Sequence, residues 1–200
     1  AGWEIVDFDS PADVYIVGTC TVTSTADRKS RQYINRALKR GIVIATGCYS
    51  QRMADELLAA GVSVVVGNKH RGSIEQIARK ALSGEINNVV EGFSDEEAFE
   101  ELKITGHAGK TRAFIKVQEG CDNHCTYCII PSVRGPSRSR PIDDAVSEAQ
   151  RLATNGYKEI VLTGICLSSY KSDIGGLDLL AEKLSCIDGI KRIRLGSLEP

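Results

Sequence analysis

Three thiols stand in one short stretch, Cys121-Asp122-Asn123-His124-Cys125-Thr126-Tyr127-Cys128, spaced Cys-x3-Cys-x2-Cys. Thiolates are soft ligands suited to iron–sulfur clusters or to zinc. Three of them can hold three irons of a cubane and leave the fourth iron without a protein ligand, open to a substrate. The same logic separates catalytic from structural zinc. A zinc site here would need His124 or a distant cysteine as fourth ligand, and zinc sites usually add a second Cys/His pair that this half of the chain lacks. Two further cysteines sit in short loops: Cys20 in Gly18-Thr19-Cys20-Thr21-Val22-Thr23, and Cys48 in Thr46-Gly47-Cys48-Tyr49-Ser50-Gln51.

Those thiols need elements to carry them. Val14-Tyr15-Ile16-Val17, closed by Gly18, reads as a buried strand, and residues 24–40 carry Tyr33, Ile34, Ala37 and Leu38 at helical spacing until Gly41 stops them. Strands at 42–45 and 62–66 follow, each with a helix behind it, at about 50–60 and 72–82. Strands alternating with helices imply βαβ units and a parallel sheet covered on both faces. Ligands collect at the carboxyl ends of such strands, so Cys20 and Cys48, about one βα unit apart, are expected to face one site. The acidic, Gly-containing stretch 91–110 reads as a linker between a domain at 1–90 and another at 111–200. The second domain repeats the pattern: strand 112–118, the cysteine loop, helix 142–155, strand 159–162, helix 177–184 and strand 191–195. The fold class is α/β throughout.

Composition narrows the function. The 200 residues carry 25 Lys+Arg against 26 Asp+Glu, with 42% hydrophobic and 26% charged residues, which excludes disorder, collagen and coiled coil. No apolar run reaches the roughly 18 residues of a membrane span. The near-zero charge argues against wholesale capture of nucleic acid but leaves local patches. These are Arg134, Arg138 and Arg140 after the cysteine loop, facing either phosphate or acids within the fold, and the helix with Arg28, Lys29, Arg31, Arg36, Lys39 and Arg40 against Asp27 alone. Seven cysteines with no signal-peptide pattern point to metal or redox chemistry in a reducing compartment, the cytoplasm. Cys186 reads as a buried structural thiol, Cys166 as either structural or site-lining, and His70 and His107 as surface residues. The start at Ala1 and the stop at Pro200, just after a strand, read as a fragment of a longer protein.

The loop at 121–128, following a strand, resembles the cluster-binding signature of the radical S-adenosylmethionine (SAM) superfamily. Together with the Cys20 and Cys48 loops, Ile129-Ile130-Pro131 and Arg134-Gly135-Pro136-Ser137-Arg138-Ser139-Arg140, it makes nearly the whole chain resemble the methylthiotransferase family. On Thr163-Gly164-Ile165-Cys166-Leu167-Ser168-Ser169-Tyr170 the likeness is greatest to members acting on N6-threonylcarbamoyladenosine in tRNA. The resemblance implies an N-terminal open parallel-sheet domain and the first half of a partial (β/α)6 barrel. It implies a [4Fe–4S] cluster on Cys121, Cys125 and Cys128 whose open iron chelates SAM, with Tyr127 near the adenine and Thr163 and Gly164 lining the cofactor pocket. A second [4Fe–4S] cluster is implied on Cys20 and Cys48, its third ligand expected upstream of Ala1. The implied reaction is reductive cleavage of SAM to a 5′-deoxyadenosyl radical and replacement of a C–H at adenine C2 by a methylthio group. The implied partners are tRNA, an electron donor and a sulfur donor. The sequence departs from the family at Gly18, usually Asn, at Cys166, usually His, and at Lys171, usually Gly. The alternatives are methylthiotransferases for N6-isopentenyladenosine in tRNA or for a ribosomal-protein aspartate and, in another class, a non-catalytic iron–sulfur or zinc protein.

Overall fold

The computed structural model describes residues 2–94, 97–100, 102 and 111–199. They form two compact units, Ala1–Gly92 with Thr126–Val133, and Phe93–Cys125 with Arg134–Pro200. Of the expected linker, Asp95, Glu96, Glu101 and residues 103–110, His107 among them, lie outside the described residues.

The first unit is a four-stranded parallel sheet in sequence order, β1 (Val14–Thr19), β2 (Ile42–Gly47), β3 (Val64–Val66) and β4 (Asn88–Val89). Its helices are α1 (Ser24–Ala37), α2 (Cys48–Arg52), α3 (Ala54–Ala59) and α4 (Ile74–Leu82). Successive strand residues serve opposite layers. Val43, Ala45 and Val65 pack with Ile34, Ala37 and Leu57 on one face, while Ile44, Val64 and Val66 pack with Ile77, Ala78 and Ala81 on the other. That two-sided burial is why the central strands read as unbroken apolar runs. β1 departs from the expectation: it is an edge strand with Tyr15 and Val17 buried but Ile16 49% exposed, and its second face is covered only in part, at Val14. The helix expected at 50–60 is two helices meeting at Met53, and α1 ends at Ala37, with Leu38 as its C-cap. At the other end of α1, Thr23 Oγ1 accepts the N–H of Ala26 at 3.1 Å, satisfying one of the open donors of the first turn.

The second unit holds β5 (Ala113–Lys116) and β6 (Gln118–Glu119) and, after α5 (Ile130–Arg134), which lies almost wholly in the Thr126–Val133 segment of the first unit, β7 (Arg138–Ser139), α6 (Ile142–Thr154), β8 (Glu159–Thr163), β9 (Lys171–Ser172), β10 (Gly175–Gly176), α7 (Leu177–Ser185) and β11 (Arg192–Leu195). β5, β8 and β11 form a parallel sheet in that order, each successive pair joined across a helix, which is the repeating unit of a βα barrel. Ile115, Ile160 and Leu162 pack with Ala145, Ala149 and Leu152 of α6 and Leu180 and Leu184 of α7. The two-residue pairs β6–β7 and β9–β10 were too short for any periodicity to announce them.

An ion pair lies inside this core. Arg140, 2% exposed, donates from Nη1 to Oε2 of Glu148, 1% exposed, at 2.5 Å. The Arg140 backbone N–H donates to the Val117 carbonyl at 2.8 Å, and Tyr170 Oη donates to the Arg140 carbonyl at 2.7 Å. Burial pushes the Tyr170 phenol up to about 12 against the opposing pull of Arg140, so it stays a donor at neutral pH. No helix among the described residues is long and apolar enough to cross a membrane.

Candidate functional site

The residues leading into the cysteine loop are held more tightly than the loop itself. Gln118 is fully buried, and its Nε2 donates to the carbonyls of Glu119 and Gly120 at 3.1 and 2.8 Å and to Ser137 Oγ at 3.0 Å. Its Oε1 accepts the backbone N–H groups of Ile165 and Cys166, both at 2.8 Å. One amide therefore fastens the start of the cysteine loop to the loop after β8. Gly120 has φ +74°, and a Cβ there would run into the Pro136 carbonyl oxygen, so only glycine lets the two segments approach. The Cys121 N–H donates to the Gly135 carbonyl at 3.2 Å, and Asp122 Oδ1 accepts the Ser137 N–H at 2.9 Å.

Glu119 closes this base, accepting from Arg134 Nη1 at 2.7 Å and Lys116 Nζ at 3.0 Å. Burial pushes its carboxyl up, and Arg134 and Lys116 more than reverse that, holding it at about 2 against an ordinary 4.5. A carboxyl lowered on folding contributes stability that is complete above its unfolded pKa and lost as pH falls through the folded one. We therefore expect the protein to lose up to about 3 kcal/mol between pH of about 4.5 and about 2 through this group. Denaturant titrations across that window should show a shallower loss in Glu119→Gln than in the native sequence. Equal slopes would contradict the assignment.

Beyond its clasped base the loop opens. Cys121 and Cys128 are half-buried and Cys125 is exposed, and none of the described cysteines is in a disulfide. The Asn123 N–H donates to Cys121 Sγ at 3.4 Å, as it would to a thiolate, and Tyr127 is 90% exposed. No group of three His, Cys, Asp or Glu side chains among the described residues is gathered to hold a single metal ion. The donor set is nonetheless of the right chemistry for an iron–sulfur cluster, since accessible soft thiols on an open loop can turn towards one centre.

The other motif cysteines stand at one edge of the first sheet. Thr19 of β1 pairs with Gly47 of β2, so Cys20 and Cys48, the residues after them, occupy equivalent register positions. Gly47 has φ +110°, and a Cβ there would strike the Thr19 carbonyl oxygen. Thr19 Oγ1 lies 2.8 Å from the Thr46 carbonyl and 3.0 Å from Ser50 Oγ, and it accepts the Ser50 N–H at 3.1 Å. Ser30 of α1 grips Cys20 from both sides, accepting its N–H at 3.0 Å and donating to its carbonyl at 3.1 Å. Cys20 is exposed and Cys48 buried, and Asn68 Nδ2 lies 3.4 Å from Cys48 Sγ.

The remaining candidates divide. Thr163 donates its hydroxyl to the Ile115 carbonyl at 3.4 Å, and Gly164 lies against Gln118, where a Cβ would come within 2.8 Å of its side chain. Further along the same loop, Ser168, Ser169, Tyr170 and Lys171 line a cleft of about 610 Å3. Cys166 is buried beneath the loop, whereas Cys186 is exposed at the end of α7, contrary to its reading as a buried thiol. Arg134 and Arg140 pair with acids of their own unit, and Arg138 donates to the carbonyls of Arg134 and Pro136 and covers the Phe93 ring at 5.2 Å. Arg36 of α1 pairs with Asp9, Arg40 beyond the helix end lies 3.3 Å from the same carboxylate, and Arg31 sits over the Tyr49 ring at 5.9 Å, while Arg28, Lys29 and Lys39 are exposed. Sequence reasoning missed Gln118, Ser30 and Asn68. The one available signal was the polar pair Gln118-Glu119 closing an apolar strand immediately before the cysteines.

Residues 1–67 match the uncharacterized protein family UPF0004, and residues 115–198 match the radical SAM superfamily. The chain is 43% identical to the threonylcarbamoyladenosine tRNA methylthiotransferase MtaB of Bacillus subtilis, covering 100% of this chain and 46% of that protein. It is 42% identical to the protein of the same name from Aquifex aeolicus, over 98% of this chain and 50% of that one. The ribosomal protein uS12 methylthiotransferase RimO of Lachnoclostridium phytofermentans is 35% identical over 97% of this chain and 46% of its own. The chain thus spans about half the length of these relatives. Among solved structures, the radical S-adenosylmethionine methyltransferase TsrM of Kitasatospora setae superposes with a TM-score of 0.50 at 15% identity, over 78% of this chain and 39% of that one, a likeness of fold. The chain thus carries a UPF0004 stretch followed by a radical SAM stretch, and along its whole length it is similar to proteins named methylthiotransferases.

Proposed function

We propose that this chain is the part of a tRNA methylthiotransferase that binds two [4Fe–4S] clusters and SAM, and that the whole enzyme places a methylthio group on C2 of N6-threonylcarbamoyladenosine. The observation that carries the reading is the Cys121, Cys125, Cys128 loop following β5 of a parallel βα unit, in a chain 43% identical to an MtaB along its length. Cys121, Cys125 and Cys128 would hold one cluster, and Cys20 and Cys48 would contribute to the other. Tyr127, Thr163 and Gly164 would border bound SAM. When bound, the clusters and SAM would supply the sulfur and a reductively cleaved cofactor, the electron coming from an external donor.

The chain's own residues do the positioning. Gln118 and Gly120 fix where the loop begins, and Glu119 with Arg134 and Lys116 keeps that base rigid at neutral pH. Exposed Tyr127 offers an aromatic face to an adenine. The exposed cations of α1 suit phosphate contacts with RNA. An electron donor and a sulfur donor complete the reaction, and a tRNA substrate implies a cytoplasmic enzyme. The relatives named uS12 methylthiotransferases, 35% and 37% identical, support a second reading, a protein aspartate as substrate.

The test is anaerobic reconstitution with iron and sulfide, followed by incubation with SAM and a strong reductant. The reading expects release of 5′-deoxyadenosine. A folded, iron-loaded protein that releases none is an electron carrier or a structural iron protein instead.

A further inference from the structure

The register that aligns Cys20 with Cys48 continues to β3. Thr46 pairs with Val66, so the residue two places on, Asn68, stands level with Cys48 at the same sheet edge. Cys20, Cys48 and Asn68 thus lie just beyond the carboxyl ends of three adjacent parallel strands. Asn68 is 5% exposed, and its Nδ2 donates to the Val133 carbonyl at 2.6 Å and to Cys48 Sγ at 3.4 Å. The short contact to a carbonyl fixes which side-chain atom is nitrogen, because an amide oxygen there would face another acceptor. Both N–H groups are therefore assigned, one of them to sulfur.

The amide is held in place from the helix that carries the thiol. Gln51 follows Cys48 by about one turn of α2, and its Oε1 accepts the Asn68 backbone N–H at 2.8 Å. Gln51 Nε2 in turn donates to the Glu91 carbonyl at 2.8 Å, and a Cβ on Gly67 would collide with Gln51 Oε1. Cys48, Gln51 and Asn68 close a ring of backbone and hydrogen bonds. The Asn68 Oδ1 atom, by contrast, is buried with no hydrogen-bond partner among the described residues. A side chain kept only for structure would satisfy its acceptor, since leaving one unmet costs stability. Here the geometry favours the donors.

We propose that Asn68 is a positioning residue for Cys48: its amide N–H orients the sulfur towards the sheet edge and, when that sulfur ligates a cluster, stabilises the negative charge on it. The proposal rests on the reading of Cys48 as a cluster ligand. A neutral donor suits a buried anionic sulfur because it offsets charge without burying a cation. Hydrogen bonds to ligand sulfurs raise the reduction potential of a cluster, and such outer partners also hold the ligand to the metal.

The experiment uses the full-length protein with Cys121→Ala, Cys125→Ala and Cys128→Ala together, so that one cluster is assembled, at the Cys20 and Cys48 site. Its midpoint potential and its rate of iron loss to a chelator are compared with those of the same protein carrying Asn68→Leu or Asn68→Asp. Leucine keeps the volume and removes the donors, whereas aspartate puts a negative charge at the sulfur. The expected order of potentials is native highest, leucine lower and aspartate lowest, with iron lost about tenfold faster from the leucine variant. Equal potentials in three iron-loaded proteins overturn the proposal. Should a variant fail to fold, pulsed EPR of the parent protein labelled with heavy nitrogen at asparagine decides: a nitrogen coupling to the reduced cluster supports the contact, and its absence overturns it. Full iron content in Cys48→Ala on the same background would instead overturn the ligand reading beneath.

Discussion

Reconstituted without oxygen, the full-length Cys125→Ala protein is expected to carry about four irons fewer per chain than the native protein and to release no 5′-deoxyadenosine. Three thiolates from one loop are the whole protein contribution to such a cubane, so removing one leaves two, and two do not retain it. Cys125 is the exposed member of the three, which makes it the informative one to change. An alanine at an exposed loop position disturbs no packing, so loss of iron can be separated from loss of fold by an unaltered melting transition. Cys186→Ala is the matched control: that thiol is also exposed, but at the end of α7, and its removal should change neither iron content nor cleavage. Full iron retention by Cys125→Ala would refute the assignment of the loop.

A larger effect on stability is expected at Glu148. Its carboxylate and the Arg140 guanidinium are both inside the second core, and taking away one partner strands a buried charge. Glu148→Leu should therefore destabilise the protein by roughly 3–5 kcal/mol, seen as a lower denaturant midpoint. Replacing both, with Arg140→Met added to Glu148→Leu, should restore most of the loss, since an apolar pair of similar volume needs no charge compensation. A single substitution costing under about 1 kcal/mol would mean that water reaches Arg140. Arg140 had been one of three arginines open to an RNA reading. Its pairing with Glu148, and that of Arg134 with Glu119, turns two of the three towards acids of their own unit.

The contrast between those arginines and the strands says why some of the fold was legible. Val64, Val65 and Val66 are buried on both sides, and nothing but a central parallel strand explains such a run between helices. The helix of α6 was equally plain because Ala145, Ala149 and Leu152 repeat at its period. Side-chain pairing is different in kind. Arg140 and Glu148 are brought together by a turn into α6, and Arg134 reaches Glu119 across the whole cysteine loop. A linear sequence shows the charges without their partners. The cysteine loop was readable because its three thiols are close in the chain. Asn68 was not, because its link to Cys48 exists only through the register of β2 and β3, two ladder pairs away. Ile16 erred for a similar reason: an apolar strand residue looks the same at a sheet's edge as at its centre.

The most direct test of the whole account is nucleoside analysis of tRNA. The full-length protein would be expressed in a host whose tRNA carries N6-threonylcarbamoyladenosine without the methylthio group, and the digested tRNA examined by mass spectrometry. The account predicts that the methylthiolated nucleoside forms with the native protein and is missing with Cys125→Ala. Unmodified tRNA alongside a newly methylthiolated ribosomal-protein aspartate would contradict it.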